Sequence, residues 1–186
     1  MTKVINLYGG PGTGKSTSAA LLFSLLKNNN YNSELVQEYV KQWAWEERHP
    51  VKYDQFYFFG KQSRKEYSLF KNVDIIVTDS PISLCGYYTK VYGTPEQTVL
   101  FNHMAKTYYN MVKDDGVDYV HIWLNRVKAY NPKGRFQTED EAKVIDKDMK
   151  EYLTKDLGLT LLEFDGSNEG VNNLFSLIAK SLNYVR

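Results

Sequence analysis

Short apolar runs alternate with helix-length amphipathic stretches along the chain. Residues 4–8 predict a buried strand and residues 15–28 a helix, with a glycine-rich turn between them. After a loop at 28–30, residues 33–38 predict a second short strand and 39–47 a helix, which His49-Pro50 ends. Residues 52–71 predict a long, aromatic-rich helix. Residues 73–78 are the most strand-like piece, with five of six positions apolar or β-branched. Residues 95–113 predict a helix with Pro95 at its start, 119–124 a strand, and 127–136 a polar, basic loop. Residues 138–155 predict a helix with acidic residues in its first turn, where they suit the dipole. A strand at 159–164 and a helix at 170–183 close the chain. Strand–helix alternation repeated five times predicts a three-layer α/β fold on a mainly parallel sheet.

Composition narrows this picture only slightly. The 186 residues suit one domain spanning 1–186, with no linker, repeat or low-complexity tract. A formal charge of +1 gives no global attraction to nucleic acid or to an acidic membrane. The single cysteine, Cys85, forms no intramolecular disulfide and lies in an apolar stretch at 82–88, as a packed thiol does. The first residues lack the apolar core and cleavage site of a leader, and no apolar run reaches the ~18 residues of a membrane span. A cytoplasmic protein without a membrane partner is expected.

The chemistry is concentrated in Gly9-Gly10-Pro11-Gly12-Thr13-Gly14-Lys15-Ser16, which fits G-x-x-x-x-G-K-[ST] between a strand and a helix. Glycines let successive N–H groups point into one concavity, and the following helix adds its positive end. Gly10, Gly12, Thr13, Gly14, Lys15, Ser16 and Thr17 are therefore expected to cradle a nucleoside triphosphate. Lys15 would reach the β- and γ-phosphates and Ser16 would ligate magnesium. Asp79 ends an apolar strand, which places a carboxylate at the sheet edge where open α/β folds bind ligands. It would hold the metal or orient the acceptor; a cap on the following turn is its plainer role.

A phosphate loop specifies what is bound, not what happens to it. A GTPase switch would carry Asn-Lys-x-Asp, which is absent. A small-molecule kinase needs a second pocket and a basic lid that excludes water. The lid candidate is the loop at about 126–136, with Arg126, Lys128, Lys133 and Arg135 as its four cations and Pro132 and Gly134 as its bends. Arg126 and Arg135 are the candidates for stabilising the transferring phosphoryl group. Glu38, at the end of the second strand, is the candidate to accept a proton from a hydroxyl acceptor. Aromatic residues follow it, and Trp43, Tyr57 and Gln62 are the ones expected to contact a planar base. His49, His103 and His121 have no metal-ligand spacing. Two other readings stay open. Lys61, Arg64 and Lys65 would track a backbone if the acceptor were a nucleotide within nucleic acid, and a nucleotide-binding regulator would bind without turnover.

Gly9–Ser16, Glu38-Tyr39, Gln55-Phe56 through Gln62, Asp79-Ser80-Pro81 and the 126–135 loop together resemble a known group. The chain is similar over nearly its whole length to P-loop kinases related to the nicotinamide riboside kinase domain of bacterial NAD-salvage proteins, including small phage-encoded relatives. The resemblance implies a nucleoside-kinase-like P-loop NTPase fold with a five-stranded parallel sheet, ATP with Mg2+, and a ribosyl or deoxyribosyl hydroxyl as acceptor. By position it implies that Lys15 and Ser16 hold phosphates and metal, Glu38 faces the acceptor, Asp79 sits at the metal edge, and Arg126 and Arg135 form the lid. Lys41 stands where such sequences often carry arginine. A phage-encoded chain would work in the host cytoplasm.

Overall fold

The computed structural model describes residues 1–48, 50–51, 53–131 and 137–183, without the side chains of Lys41, Ala44 and Asn183. Its centre is a strand of almost unbroken apolar character, β1 (Thr2–Tyr8), in which Val4, Ile5, Leu7 and Tyr8 have no exposed surface. Such a strand needs cover on both faces, as parallel sheets provide. The other strands are β2 (Ser33–Val36), β3 (Ile75–Thr78), β4 (Val117–Asn125) and β5 (Leu161–Asp165), and the order across the sheet is β2-β3-β1-β4-β5. Every neighbouring pair is parallel. Ile5 lies opposite Val77 on one side and Val120 on the other.

Helices α1 (Lys15–Asn28) and α7 (Asn168–Asn183) cover one face. Ala19, Leu22 and Leu26 of α1 and Val171, Leu174 and Ile178 of α7 pack there on Ile5, Leu7, Val77 and Leu124. The opposite face carries α3 (Asp54–Tyr67), α4 (Ser83–Tyr92), α5 (Pro95–Asp114) and α6 (Glu139–Glu151). Its core contains Val4, Ile76, Phe70 and Val112 in one cluster and Tyr8, Trp123, Met149 and Tyr152 in another. A short helix, α2 (Val40–Trp45), follows β2, and a π-helical turn (Tyr152–Asp156) continues α6. This is the expected three-layer α/β fold on a five-stranded parallel sheet.

Two helices start on capping boxes. Thr94 and Thr138 each accept from the backbone N–H three residues on, and the Gln97 and Glu141 side chains return the bond to the cap residue. Helix α4 is the element that periodicity did not announce. Its sequence, SLCGYYTKVY, mixes glycine, threonine, valine and tyrosines, all weak helix formers. Burial holds it instead: Ser83, Leu84, Cys85, Gly86, Tyr87 and Thr89 are all inside.

Candidate active site

All five strands run the same way, so the loops after β1, β2, β3 and β4 meet at one edge. The loop after β1 turns on residues that only glycine accommodates without strain. Gly12 has φ +82° and Gly14 has φ +94°. Gly14 is also the N-cap of α1 and offers no side chain, so the first N–H groups of the helix are left for a ligand. Buried Thr13 donates its hydroxyl to the Gly10 carbonyl at 3.0 Å and steadies the turn. The Lys15 ammonium lies over the loop and donates to the carbonyls of Gly9 (2.6 Å) and Gly10 (3.2 Å). Desolvation lowers the pKa of this amine; Glu38, Asp79 and Asp146 oppose that shift, and Arg126 adds to it. The five residues therefore share one electrostatic neighbourhood, and four of them are candidates read from the sequence.

Asp79 is buried just beyond β3, and its carboxylate accepts the Glu38 N–H at 3.0 Å. It thus ties together the ends of β2 and β3, where a cap on the following turn was the plainer expectation. Ser16, Glu38 and Asp79 line a recess of about 90 Å3 beside the loop. The oxygen donors of Ser16 and Asp79 suit magnesium, which keeps water and phosphate ligands and needs few from protein. Among the described residues, no group of three or more His, Cys, Asp or Glu is gathered to hold a metal.

A cavity of about 690 Å3 is lined by Gly12, Gly14, Lys15, Ser16 and Thr17, by Glu38 and by an aromatic chamber. Tyr39, Phe58, Gln62, Tyr88 and Tyr92 are in its walls. Gln62 is buried on α3 and donates to the Thr78 hydroxyl at 3.0 Å. Burial pushes the Tyr88 hydroxyl well above its ordinary pKa, and the nearby Glu38 charge adds to this, so the phenol stays a donor. Trp43 and Tyr57 do not line the cavity. Trp43 is 4% exposed and packs in the core against Phe58, with the Arg48 guanidinium 3.5 Å from its ring centre. Tyr57 is 42% exposed and shares a 2.9 Å hydrogen bond with Tyr39 on the outer side of α3. Burial of a ring is set by tertiary packing, which its position in the sequence does not reveal. Tyr88 and Tyr92 were missed because they belong to α4.

Of the lid candidates, Arg126 reaches the phosphate loop. Its Nε donates to Asp146 at 2.8 Å and its Nη2 to the Pro11 carbonyl at 2.8 Å. The Lys128 ammonium comes within 3.5 Å of the place a Cβ on Gly14 would take, and the Tyr130 ring lies against Gly12. Arg135, together with Pro132, Lys133 and Gly134, falls outside the described residues. The basic residues of α3 engage aromatic rings: Lys61 lies over Tyr57, Arg64 over Tyr67 and Lys65 over Tyr39. His121 is packed beside Tyr8, and burial pushes its pKa down to about 4. Burial pushes the Cys85 thiol up to about 12, as for a packed thiol. No helix among the described residues is long and apolar enough to cross a membrane.

A family model described as an AAA domain matches residues 4–169. No curated protein matches the chain. Among solved structures, deoxyadenosine kinase from M. mycoides with bound dATP superposes with a TM-score of 0.54 at 19% identity, covering 97% of this chain and 99% of that one. The same enzyme with dCMP and dCDP bound gives a TM-score of 0.54 at 20% identity over 97% and 99% of the two chains. The crystal structure of APE1195 gives 0.53 at 22% identity over 96% and 95%. At these identities the likeness is one of fold.

Proposed function

The chain belongs to the AAA domain family, and we propose that it is an ATP- and magnesium-dependent phosphotransferase acting on a hydroxyl of a nucleoside-like small molecule. One observation carries the proposal: the phosphate loop, Glu38 and a set of aromatic residues line one cavity of about 690 Å3. That volume is in the range of small-molecule sites, ~300–1,000 Å3. A GTPase switch has no use for an acceptor chamber continuous with its phosphate loop. A kinase does, because water excluded from that space cannot compete with the acceptor.

The residues present fit the nucleotide and its metal. Gly12 and Gly14 shape a cradle of N–H groups, a guanidinium nitrogen of Arg126 is buried there without a partner, and Ser16 and Asp79 offer oxygen ligands. Gly10, Gly12, Thr13, Gly14 and Thr17 would hold the phosphates, with Lys15 at the β- and γ-positions. ATP supplies the phosphoryl group, and magnesium neutralises charge on its oxygens. Glu38 accepts the proton of the acceptor hydroxyl. Lys15 and Arg126 stabilise the charge on the transferring group, and Arg135 is proposed to join them from the lid at about 126–136. Gln62 meets the edge of a base, while Tyr39, Phe58 and Tyr88 supply the stacking surface in place of Trp43 and Tyr57. Residues 1–186 are proposed to act as one domain in the cytoplasm.

Transfer from ATP should be measured with magnesium against nucleosides, deoxynucleosides, nicotinamide riboside, their monophosphates and oligonucleotides. Transfer to one free nucleoside-like molecule is the expected result, with Glu38→Gln at least ~100-fold slower in kcat. Transfer to oligonucleotides alone would reject the small-molecule acceptor. Tight ATP binding without transfer would favour a regulator.

A further inference from the structure

Helix α6 turns Ala142, Ile145 and Met149 toward the core, at the spacing of one helix face. Asp146 lies on the same stripe, with only 18% of its side chain exposed. A carboxylate there is costly unless it is paired. It has two partners, both in the machinery just described. One oxygen accepts the Gly10 N–H of the phosphate loop at 2.6 Å, and the other accepts Arg126 Nε at 2.8 Å. Arg126 is itself 12% exposed and bonds the Pro11 carbonyl through Nη2. Its remaining nitrogen, Nη1, is buried and has no partner. Nη1 also sits 3.1 Å from the place a Cβ on Gly12 would occupy. The approach of α6 is close enough that a Cβ on Gly10 would collide with the Asp146 carboxylate and press on the Ala142 carbonyl.

We infer that Asp146 is a positioning residue for phosphoryl transfer: it grips Arg126 by Nε and the phosphate loop by Gly10, and so fixes the guanidinium against that loop. The inference rests on the phosphotransferase reading. Stability alone is a poor account of the pair, because a buried ion pair is often no more stabilising than an apolar replacement. A fixed guanidinium is what the pair does provide. Nε and Nη2 are both engaged, which restricts the rotamer, and Nη1 is buried beside Gly12 and the Tyr130 ring without a hydrogen-bond partner. A buried donor without an acceptor carries a free-energy penalty that a phosphate oxygen would remove. Asp146 also ties Arg126, just beyond β4, to α6.

The test is a double-mutant cycle with Asp146→Asn and Arg126→Ala. Asparagine keeps an oxygen for the Gly10 N–H but turns an NH2 toward Arg126 Nε, so it breaks only the grip on the arginine. Asp146→Asn should lower kcat about 10- to 100-fold, the scale of a misplaced catalytic group, with the acceptor KM nearly unchanged. The melting temperature should fall too, because the Arg126 guanidinium is left buried and unpaired, so the role is read from the split between kcat and KM. Combined with Arg126→Ala it should add less than about twofold, because the effect travels through that arginine. Independent, multiplying effects, or full activity in Asp146→Asn, would overturn the inference. If the wild-type chain binds an ATP analogue but transfers phosphate to no acceptor, the phosphotransferase reading fails separately. The cycle is then read in analogue affinity by calorimetry, where weaker binding by Asp146→Asn and the same non-additivity are expected and their absence overturns it.

Discussion

Glu66 shows how burial sets the chemistry of a single side chain. It lies on α3 with no exposed surface, accepts the Tyr119 hydroxyl at 2.8 Å, and has a second oxygen without a partner. Desolvation pushes its pKa to about 7 from an ordinary 4.5, although Tyr119 and Gln62 favour the charged form. A carboxyl with a raised folded-state pKa binds more protons folded than unfolded. Its contribution is therefore intact below the unfolded value and is lost as pH rises from 4.5 through about 7. His121, pushed down to about 4, acts in the opposite direction between 4 and 6.5, so the wild-type profile mixes the two. Glu66→Gln separates them. Relative to wild type it should be stabilised at pH 8 by on the order of 3 kcal/mol, with the difference vanishing near pH 4.5; equal melting temperatures at pH 8 would refute the assignment. At the same scale, Lys15 was legible because a phosphate loop is local in sequence. Asp146 was not singled out, although its signal was there: an acid on the apolar stripe of a helix.

Elements differ in how far they depend on local sequence. Helix α5 carries its own start signal, Thr94-Pro95 with Gln97, and its start was legible. Thr94→Ala should cost about 1 kcal/mol in urea unfolding, and no change would mean the capping box contributes nothing. Helix α4 is the contrary case, since its residues disfavour a helix and its contacts impose one. At Gly86 an added Cβ would meet the Tyr152 hydroxyl, which itself bonds Asn102. Alanine improves helix propensity by about 1 kcal/mol, but the overpacking should outweigh it. Gly86→Ala is expected to destabilise by a net ~1–2 kcal/mol, and a stabilised variant would show that the contact yields. The same blindness to tertiary contact explains why Trp43 and Tyr57 looked like base contacts, whereas Tyr39, Phe58 and Tyr88 form the chamber.

For the whole molecule, alternation of strand and helix was enough to read a parallel α/β sheet, because parallel strands require crossovers. The order β2-β3-β1-β4-β5 was not readable, since strand patterns do not say which edge a crossover returns to. That order places β1 between β3 and β4 and gathers Lys15, Glu38, Asp79 and Arg126 at one edge. An aromatic chamber continuous with the phosphate loop is the whole-molecule feature on which the phosphotransferase reading stands. The most direct measurement follows the γ-phosphate of ATP by 31P NMR, with magnesium and the nucleoside panel. Phosphate appearing on an acceptor well ahead of free phosphate, and lost in Lys15→Ala, is the expected result. Release of the γ-phosphate to water alone, unaffected by any acceptor, would contradict it.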